Sequence, residues 1–154
     1  MSLFYEIYET EFFPLTIAGS KTAITHILFG RNTGLPGIRQ ETELIKEAFR
    51  QITEYLAGRL KTFHLPLAPQ GTDFQKRVWN VLAAIPYGHT LSYGETAALA
   101  GNPKACRAVG MANHNNPIAI VIPCHRVIGR NGSLTGYGGG LDIKEQLLRL
   151  EGIL

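Results

Sequence analysis

The chain has 154 residues, of which 45% are hydrophobic and 18% are charged, enough for one large domain or two small ones. This composition can bury a core, which excludes extensive disorder. No run approaches the roughly 20 apolar residues that a membrane-spanning helix needs. The N-terminus carries Glu6 and Glu9 where a signal peptide would have a basic start and an apolar run. We therefore expect a soluble, cytoplasmic protein that does not associate with membranes.

The positive charge of the chain lies in its second half. The net charge is +3 at pH 7, yet residues 1–70 hold seven Lys and Arg against seven Glu, and residues 71–154 hold eight against five acids. Six basic residues between positions 74 and 141 oppose only Glu95. Such a stretch indicates a polyanionic partner, although an ordinary solvated surface rich in Lys and Arg explains the charge nearly as well.

Both cysteines, Cys106 and Cys124, lie in this basic half. A disulfide-stabilised domain would need more cysteines, and neither of these has the CxxC or Cys/His spacing of a zinc site. We therefore expect free thiols and neither a metal nor a cofactor. A free cysteine is most often a small buried apolar residue, so the neighbouring residues must decide its role.

The N-terminal part is typical of a small α/β domain. Apolar and β-branched residues predict a strand over residues 21–29 and shorter strands over 4–8 and 15–18. After a loop, apolar residues at helical spacing predict a helix over residues 44–56, with Gly58 where a C-terminal cap is expected. No pattern in this part indicates chemistry, which favours a supporting role.

Helices with clear start signals follow a boundary at residues 65–71, where two prolines and a glycine interrupt regular structure. Residues 72–75 and 92–95 both fit the capping box, in which a hydroxyl and an acid or amide satisfy the free amides of a first helical turn. The first box predicts a helix that ends before Pro86. The second predicts a short helix that ends at about Ala100.

A third helix is predicted over residues 104–113, after a Gly-Asn-Pro turn that places Pro103 in the first turn of the helix. It carries Lys104, Arg107 and several small residues. Two short helices joined by a glycine turn, the second of them basic, are the outline of a helix-turn-helix. Small residues allow close approach to a nucleic-acid backbone, but they also allow close helix packing. The pattern alone supports both interpretations equally.

The segment around Cys124 is the most informative part of the chain. The apolar residues 118–122 are too few for a helix and predict a buried strand. Pro123 ends this run, so that Cys124, His125 and Arg126 follow at its exit, whereas a structural cysteine would lie inside it. A thiol beside an imidazole and a guanidinium indicates a nucleophile.

A nucleophilic cysteine must be ionised, and a free thiol with a pKa of about 8.5 is only slightly ionised at neutral pH. His125 could take the proton. Neighbouring residues of an extended chain point to opposite sides, however, so a bridging water or a sharp turn would have to connect it with Cys124. The imidazole also needs an orienting acid, and the acids that follow in the chain are Asp142, Glu145 and Glu151. A final helix predicted over residues 141–150 places Glu151 at its end.

The segment Ile122-Pro123-Cys124-His125-Arg126-Val127 resembles the signature of the O6-alkylguanine-DNA alkyltransferases, the methylated-DNA–protein-cysteine methyltransferases. The resemblance extends from about Gly71 to Gly152. It includes Tyr93, the segment from Gly101 to Gly110, Asn116-Pro117, the segment from Tyr137 to Leu141, and Lys144-Glu145 through Glu151-Gly152. These motifs follow the family's order at compatible spacing. The N-terminal part is similar to the family only in size and layout.

The resemblance implies a ribonuclease H-like α/β domain over residues 1–68, followed by a winged helix-turn-helix domain with the active site over residues 69–154. It also implies a reaction in which an alkyl group moves from O6 of guanine in duplex DNA to Cys124. The product is a thioether that water does not cleave, so each molecule acts once. The implied partner is double-stranded DNA that contains O6-alkylguanine, bound by a monomer, and activity on O4-alkylthymine stays open.

The implied catalytic residues are Cys124, His125, Glu151, Tyr93 and Asn116. His125 resembles the base that takes the Cys124 proton through a water, and Glu151 resembles the acid that fixes the imidazole. Tyr93 resembles the residue that crowds the target phosphate and protonates the leaving guanine. Asn116 resembles a hinge between the recognition helix and the site.

The implied DNA-binding residues are Arg107, Lys104, Ala105, Tyr93 and Arg126. Among them, Arg107 would enter the base stack in place of the extruded nucleotide, which lowers the free energy required for base flipping. The implied substrate-binding residues are Tyr137, Val127 and Gly138. Tyr137 would stack on the flipped base, while the Val127 carbonyl, the Cys124 carbonyl and the Gly138 amide would read the guanine edge.

Some residues depart from the family pattern. The N-terminal half has no cysteine, so the zinc site of some family members is not expected here. Met111 and Ala119 differ from residues common in the family, and their effect on the size of the pocket stays open.

Two other functions stay open at this point. A cysteine hydrolase would use Cys124, His125 and Glu151 as a triad and would turn over, whereas an alkyltransferase stops after one alkyl group. A DNA-binding regulator without a reaction would keep its function when Cys124 is replaced by alanine.

Overall fold

The computed structural model describes residues 2–134, 137 and 139–154. The chain forms two compact units: one runs to Gln70 and includes residues 117–119, and the other comprises residues 71–116 and 120–154. A boundary between residues 68 and 69 stays a prediction. None of the helices among the described residues is both long and apolar enough to cross a membrane.

The first unit is built on a four-stranded sheet in the order β3-β2-β1-β4. Its strands are β1 (Phe4–Glu9), β2 (Pro14–Gly19), β3 (Ile24–Phe29) and β4 (Ile38–Arg39). The three predicted strands are present and pair antiparallel, and β4 joins β1 in parallel. The third strand begins at Ile24, later than predicted, because the preceding residues form a turn. In this turn the Ser20 amide donates to the Ala23 carbonyl at 3.0 Å.

The first unit also contains one amphipathic helix, α1 (Glu43–Leu56). The Thr42 hydroxyl accepts from the Ile45 amide at 3.1 Å and satisfies one free amide of the first turn. Fully buried residues such as Ile45 and Ile52 lie on one helix face. Gly58 adopts φ +79° just after the helix, which confirms the predicted glycine cap.

The second unit is mainly helical. Its elements are α2 (Asp73–Ala83), β5 (Leu91–Ser92), α3 (Tyr93–Leu99), α4 (Cys106–His114), β6 (Val127–Ile128) and α5 (Leu141–Leu150). Both predicted capping boxes are present, at Thr72 before α2 and at Ser92 before α3. The indole of Trp79 in α2 donates to the Ala112 carbonyl in α4 at 2.9 Å. This bond and the apolar contacts around it fix α2 against the α3–α4 pair.

The third predicted helix begins later than its sequence suggested. Pro103 lies in a turn before α4 rather than in its first helical turn, because the Ala105 amide bonds the Asn102 carbonyl at 3.0 Å and the helix starts at Cys106. Pro103 therefore shapes the connection between α3 and α4.

The strand predicted over residues 118–122 was wrong. Only Ile118 pairs, through a single parallel bridge to Ile27, and the chain then turns through Ile120, which adopts φ +72°. Such a conformation costs a β-branched residue about 1–3 kcal/mol, so its buried surroundings must hold it in place. Because Ile118, Ile120 and Ile122 are each buried, the run is apolar without being a strand.

The capping box of α2 gives a test of the second unit. We expect Thr72→Ala to lower the free energy of unfolding by about 1 kcal/mol, because it removes the side chain that accepts from the Gln75 amide. Thr72→Ser keeps an accepting hydroxyl and should retain most of the stability. Trp79 is the chain's only tryptophan, so its fluorescence during urea unfolding reports on this unit. Equal stability of the alanine variant and the unchanged chain would contradict a stabilising cap.

Candidate active site

The proposed nucleophile lies in a single turn of 3-10 helix formed by Cys124, His125 and Arg126. The Arg126 amide bonds the Pro123 carbonyl at 2.9 Å, and the Val127 amide bonds the Cys124 carbonyl. The sharp turn that the sequence left as one of two alternatives is therefore present. All three residues are buried, with exposed fractions of 5%, 0% and 6%.

The sulfur of Cys124 has polar neighbours inside this buried site. The Asn116 side-chain amide donates to Sγ at 3.1 Å and to the Ile122 carbonyl at 2.8 Å. Burial raises the pKa of the Cys124 thiol, while Asn116, the Lys144 charge and the Tyr137 hydroxyl act in the opposite direction. Because burial is the largest of these effects, the resting group is a thiol, and a base must remove its proton before it can react.

The base that the geometry offers is His125. Its Nε2 lies 2.7 Å from Oε2 of Glu151, and both side chains are fully buried. A carboxylate accepts hydrogen bonds, so Nε2 carries the proton and Nδ1 is the ring atom that can accept one. Burial lowers the pKa of His125 below its ordinary value of 6.5, although Glu151 acts to raise it. The imidazole is therefore neutral at neutral pH.

Glu151 is the acid that orients the imidazole. Besides His125, its carboxylate accepts from the Gly88 amide at 3.1 Å and from two guanidinium nitrogens of Arg126 at 2.8 and 3.0 Å. The other two acids considered from the sequence lie elsewhere: Asp142 is exposed, and Glu145 pairs with Arg149 on the surface of α5.

Arg126 occupies a different place from the one expected of a DNA-contacting residue. Its guanidinium is directed to Glu151 and to the Ile85 carbonyl, which accepts at 2.6 Å, and its side chain is only 7% exposed. A guanidinium that is committed to buried partners is not available to a phosphate, so this position corrects the prediction that Arg126 contacts DNA.

Lys144 is a site residue that the sequence reading did not single out. It is completely buried, and its Nζ donates to the Val127 carbonyl at 2.7 Å. Burial lowers the pKa of its amine to about 8, and a thiolate at Cys124 acts in the opposite direction. The helical spacing of the sequence could have indicated that Lys144 is buried, because it falls on the same face of α5 as the buried residues Leu147, Leu148 and Glu151.

The other predicted residues lie on several elements of the second unit. Tyr93 begins α3, Lys104 and Ala105 belong to the turn before α4, and Arg107 is exposed in the first turn of α4. Tyr137 is half-buried, and the Val127 carbonyl is the one that accepts from Lys144. Gly138 lies outside the described residues.

No group of three or more His, Cys, Asp or Glu side chains in the described part of the chain is arranged to hold a metal ion. Of the two departures from the family pattern, Met111 is exposed on α4, whereas Ala119 belongs to the first unit, where its amide bonds the Ile27 carbonyl at 2.9 Å.

A small sheet unit, a helix-turn-helix unit and a buried cysteine beside a carboxylate-held imidazole define the class of DNA alkyltransferases. Models of this family match nearly the whole chain. Residues 3–69 match the 6-O-methylguanine DNA methyltransferase, ribonuclease-like domain, and residues 73–153 match the DNA-binding domain of the same family. The chain belongs to the 6-O-methylguanine DNA methyltransferase family.

Individual proteins support the same assignment. The methylated-DNA–protein-cysteine methyltransferase of Methanosarcina acetivorans is 53% identical over 97% of this chain and 99% of its own. The Mycobacterium tuberculosis protein of the same name is 47% identical over 96% of this chain and 91% of its own. The crystal structure of Mycobacterium tuberculosis OGT in complex with DNA superposes with a TM-score of 0.90 and 47% identity, over 96% of this chain and 92% of that one.

The burial of His125 gives a pH dependence of stability that can be measured. Because its pKa is lowered in the folded state, the unfolded chain takes up a proton below about pH 6.5 that the folded chain does not. We therefore expect the free energy of unfolding to fall as the pH decreases from 6.5 to 5, with a contribution from His125 of at most about 1.4 kcal/mol per pH unit.

Urea unfolding of the unchanged chain and of His125→Asn across this pH range tests the expectation. The asparagine variant should lose much of the pH dependence, whereas His114→Asn, which changes an exposed histidine at the end of α4, should keep it. The same slope in the His125 variant and in the unchanged chain would show that the imidazole is not buried in its neutral form.

Proposed function

We propose that this protein repairs DNA by transferring an alkyl group from O6 of guanine to the sulfur of Cys124. One observation carries this proposal: the buried Cys124 thiol and the His125 imidazole lie in the same turn. Glu151 binds Nε2 of the imidazole, so that Nδ1 can accept a proton. The methyltransferase name of its close relatives supports the same reaction. Reaction at one cysteine without a cofactor makes the protein both the catalyst and the acceptor.

The reaction balances without an additional reagent. The Cys124 proton passes through a bridging water to Nδ1 of His125, and the resulting thiolate attacks the alkyl carbon. The S–C bond forms as the C–O bond breaks, and the electron pair of the broken bond stays on the guanine. Tyr93 supplies the proton that the leaving base takes up and recovers one from solvent, while His125 releases the Cys124 proton to solvent, so that no net proton is gained or lost. Because the thioether resists water, Cys124 is consumed in a single turnover.

The surroundings of the sulfur support a thiolate that forms only during the reaction. Burial raises the pKa of the thiol, so the resting site is protected from indiscriminate alkylation. Once the proton has left, the Asn116 amide at 3.1 Å from the sulfur and the Lys144 ammonium stabilise the negative charge. Fixed donors and charges act strongly in such a site, because little solvent is present to screen them.

DNA is the partner of this protein, and the lesion it takes is part of the proposal. The α3–α4 pair has the layout of a helix-turn-helix, and Lys104 and Arg107 are exposed around the start of α4. Arg107 would fill the gap left by the flipped nucleotide, and the small Ala105 would allow close approach to the backbone. A monomer that binds one duplex accounts for these features. The contacts of Tyr137, Val127 and Gly138 with the base remain part of the same proposal.

The stoichiometry of alkylation tests the reaction. We expect a duplex with one O6-methylguanine to transfer one methyl group per protein chain, with the methyl group on Cys124, as mass spectrometry of the digested protein would show. Cys124→Ala should transfer nothing. Cys106→Ser is the matched control, because Cys106 is the other free cysteine and is exposed, and this variant should react as the unchanged chain does.

Three results would contradict the proposal. Transfer of many equivalents by one chain would indicate a turnover enzyme such as the hydrolase. Methylation of Cys106 in place of Cys124 would show that exposure rather than the site determines reactivity. Full function of Cys124→Ala would indicate a DNA-binding protein without a reaction.

The role of Arg107 is tested by comparing two substrates. Since extruding a base from a duplex costs a few kcal/mol, we expect Arg107→Ala to slow methyl transfer from duplex DNA by about tenfold or more and to affect a single strand much less. Arg149→Ala removes the same charge from the surface of α5 and should leave both rates nearly unchanged. Equal losses of the Arg107 variant on both substrates would contradict the stack-filling role.

A further inference from the structure

Arg126 is a buried cation of the site, and the proposed reaction does not use it. Its Nε and Nη2 donate to the two oxygens of Glu151 at 2.8 and 3.0 Å, and Nη1 donates to the Ile85 carbonyl at 2.6 Å. Its guanidinium carbon lies 5.8 Å from the centre of the Tyr87 ring. These contacts hold the side chain at one place and in one orientation.

We propose that Arg126 is a positioning residue whose charge balances Glu151, so that His125 remains a neutral base for Cys124. The inference rests on the proposed function and adds to it the electrostatic control of the same site. Arg126 acts through Glu151, and its hydrogen bonds go to Glu151 and to the Ile85 carbonyl.

The physical reason lies in the charge count of the buried cluster. Glu151 alone would place a full negative charge 2.7 Å from the imidazole, and such a neighbour favours the protonated ring. A protonated His125 has no lone pair for the Cys124 proton. The guanidinium on the other side of the same carboxylate offsets that charge, so the carboxylate can fix the Nε2–H tautomer without drawing a second proton onto the ring.

The other titratable groups around His125 agree with this assignment. Lys144 on α5 carries a second buried positive charge, and both it and Arg126 lower the pKa of His125, whereas Glu151 raises it. Tyr87, between α2 and β5, has a pKa raised by burial and by Glu151, and its hydroxyl bonds the Leu150 carbonyl at 3.2 Å. The Cys124 thiol is uncharged at rest. Arg126 contacts both oxygens of Glu151.

The pH profile of methyl transfer separates this role from a merely structural one. O6-methylguanine as the free base is the substrate, so that contacts with DNA phosphates do not enter the rate. We expect Arg126→Gln to move the acid side of the rate profile to higher pH by about one unit or more, with most of the rate recovered on the alkaline side. Arg126→Lys keeps the charge and should leave the acid side near that of the unchanged chain. Arg149→Gln, which removes an exposed charge, should not move it.

A second pair of variants decides the question even if Arg126→Gln alone does not fold. In Glu151→Gln the guanidinium faces His125 without an opposing carboxylate, and we expect the acid side to lie at lower pH than in the double variant Glu151→Gln, Arg126→Gln. The inference would be overturned if the rate falls at the same acidic pH in both members of this pair. It would also be overturned if the rate falls at the same acidic pH in the unchanged chain and in folded Arg126→Gln. No methyl transfer by the unchanged chain to either the free base or duplex DNA would instead overturn the proposed function.

Discussion

The active site depends on the hydrogen bonds that the Glu151 carboxylate accepts. It accepts from the Gly88 amide before β5, from His125 and from Arg126, and thereby joins the end of α5 to two other segments of the second unit. A buried carboxylate is stable only when its acceptor positions are filled and its charge is paired. Here the same contacts that satisfy the carboxylate also determine which imidazole nitrogen can act as a base.

The fold of the second unit follows from the need to build this cluster around one turn. The 124–126 turn presents the thiol, the imidazole and the guanidinium from consecutive residues, which an extended strand would have directed to opposite sides. The left-handed conformation of Ile120 brings the chain into that turn. On one side Asn116 reaches the sulfur, and on the other Lys144 reaches the Val127 carbonyl. A strained backbone position thus lies four residues before the reactive group, and such strain is often found in active sites.

Sequence reasoning worked where the physical signal was local. Helical spacing identified α1, and the two capping boxes located the starts of α2 and α3 because a cap involves residues only three positions apart. The position of Cys124 after an apolar run and before His125 indicated a nucleophile. The resemblance of the surrounding segment to the alkyltransferase signature then assigned the reaction, which periodicity and charge alone left open.

The features that the sequence did not predict depend on distant partners. Residues 118–122 are apolar because all of them except the half-buried Val121 are buried, and a short apolar run carries no period that distinguishes a strand from such a turn. The family resemblance placed Arg126 among the residues that contact DNA, but its buried partner Glu151 lies 25 positions later in the chain, so the local sequence does not show the contact. Lys144 was overlooked for the same reason, although its place on the buried face of α5 was visible in the helical pattern.

The protonation state of His125 is the most direct test of how the site works. Nitrogen NMR of the protein labelled with ¹⁵N in its histidines distinguishes the two neutral tautomers from the imidazolium. At pH 7 we expect one buried histidine, absent from the spectrum of His125→Asn, to be neutral with its proton on Nε2. An imidazolium at this position, or a neutral ring with its proton on Nδ1, would leave Nδ1 without a lone pair for the Cys124 proton and would contradict the mechanism.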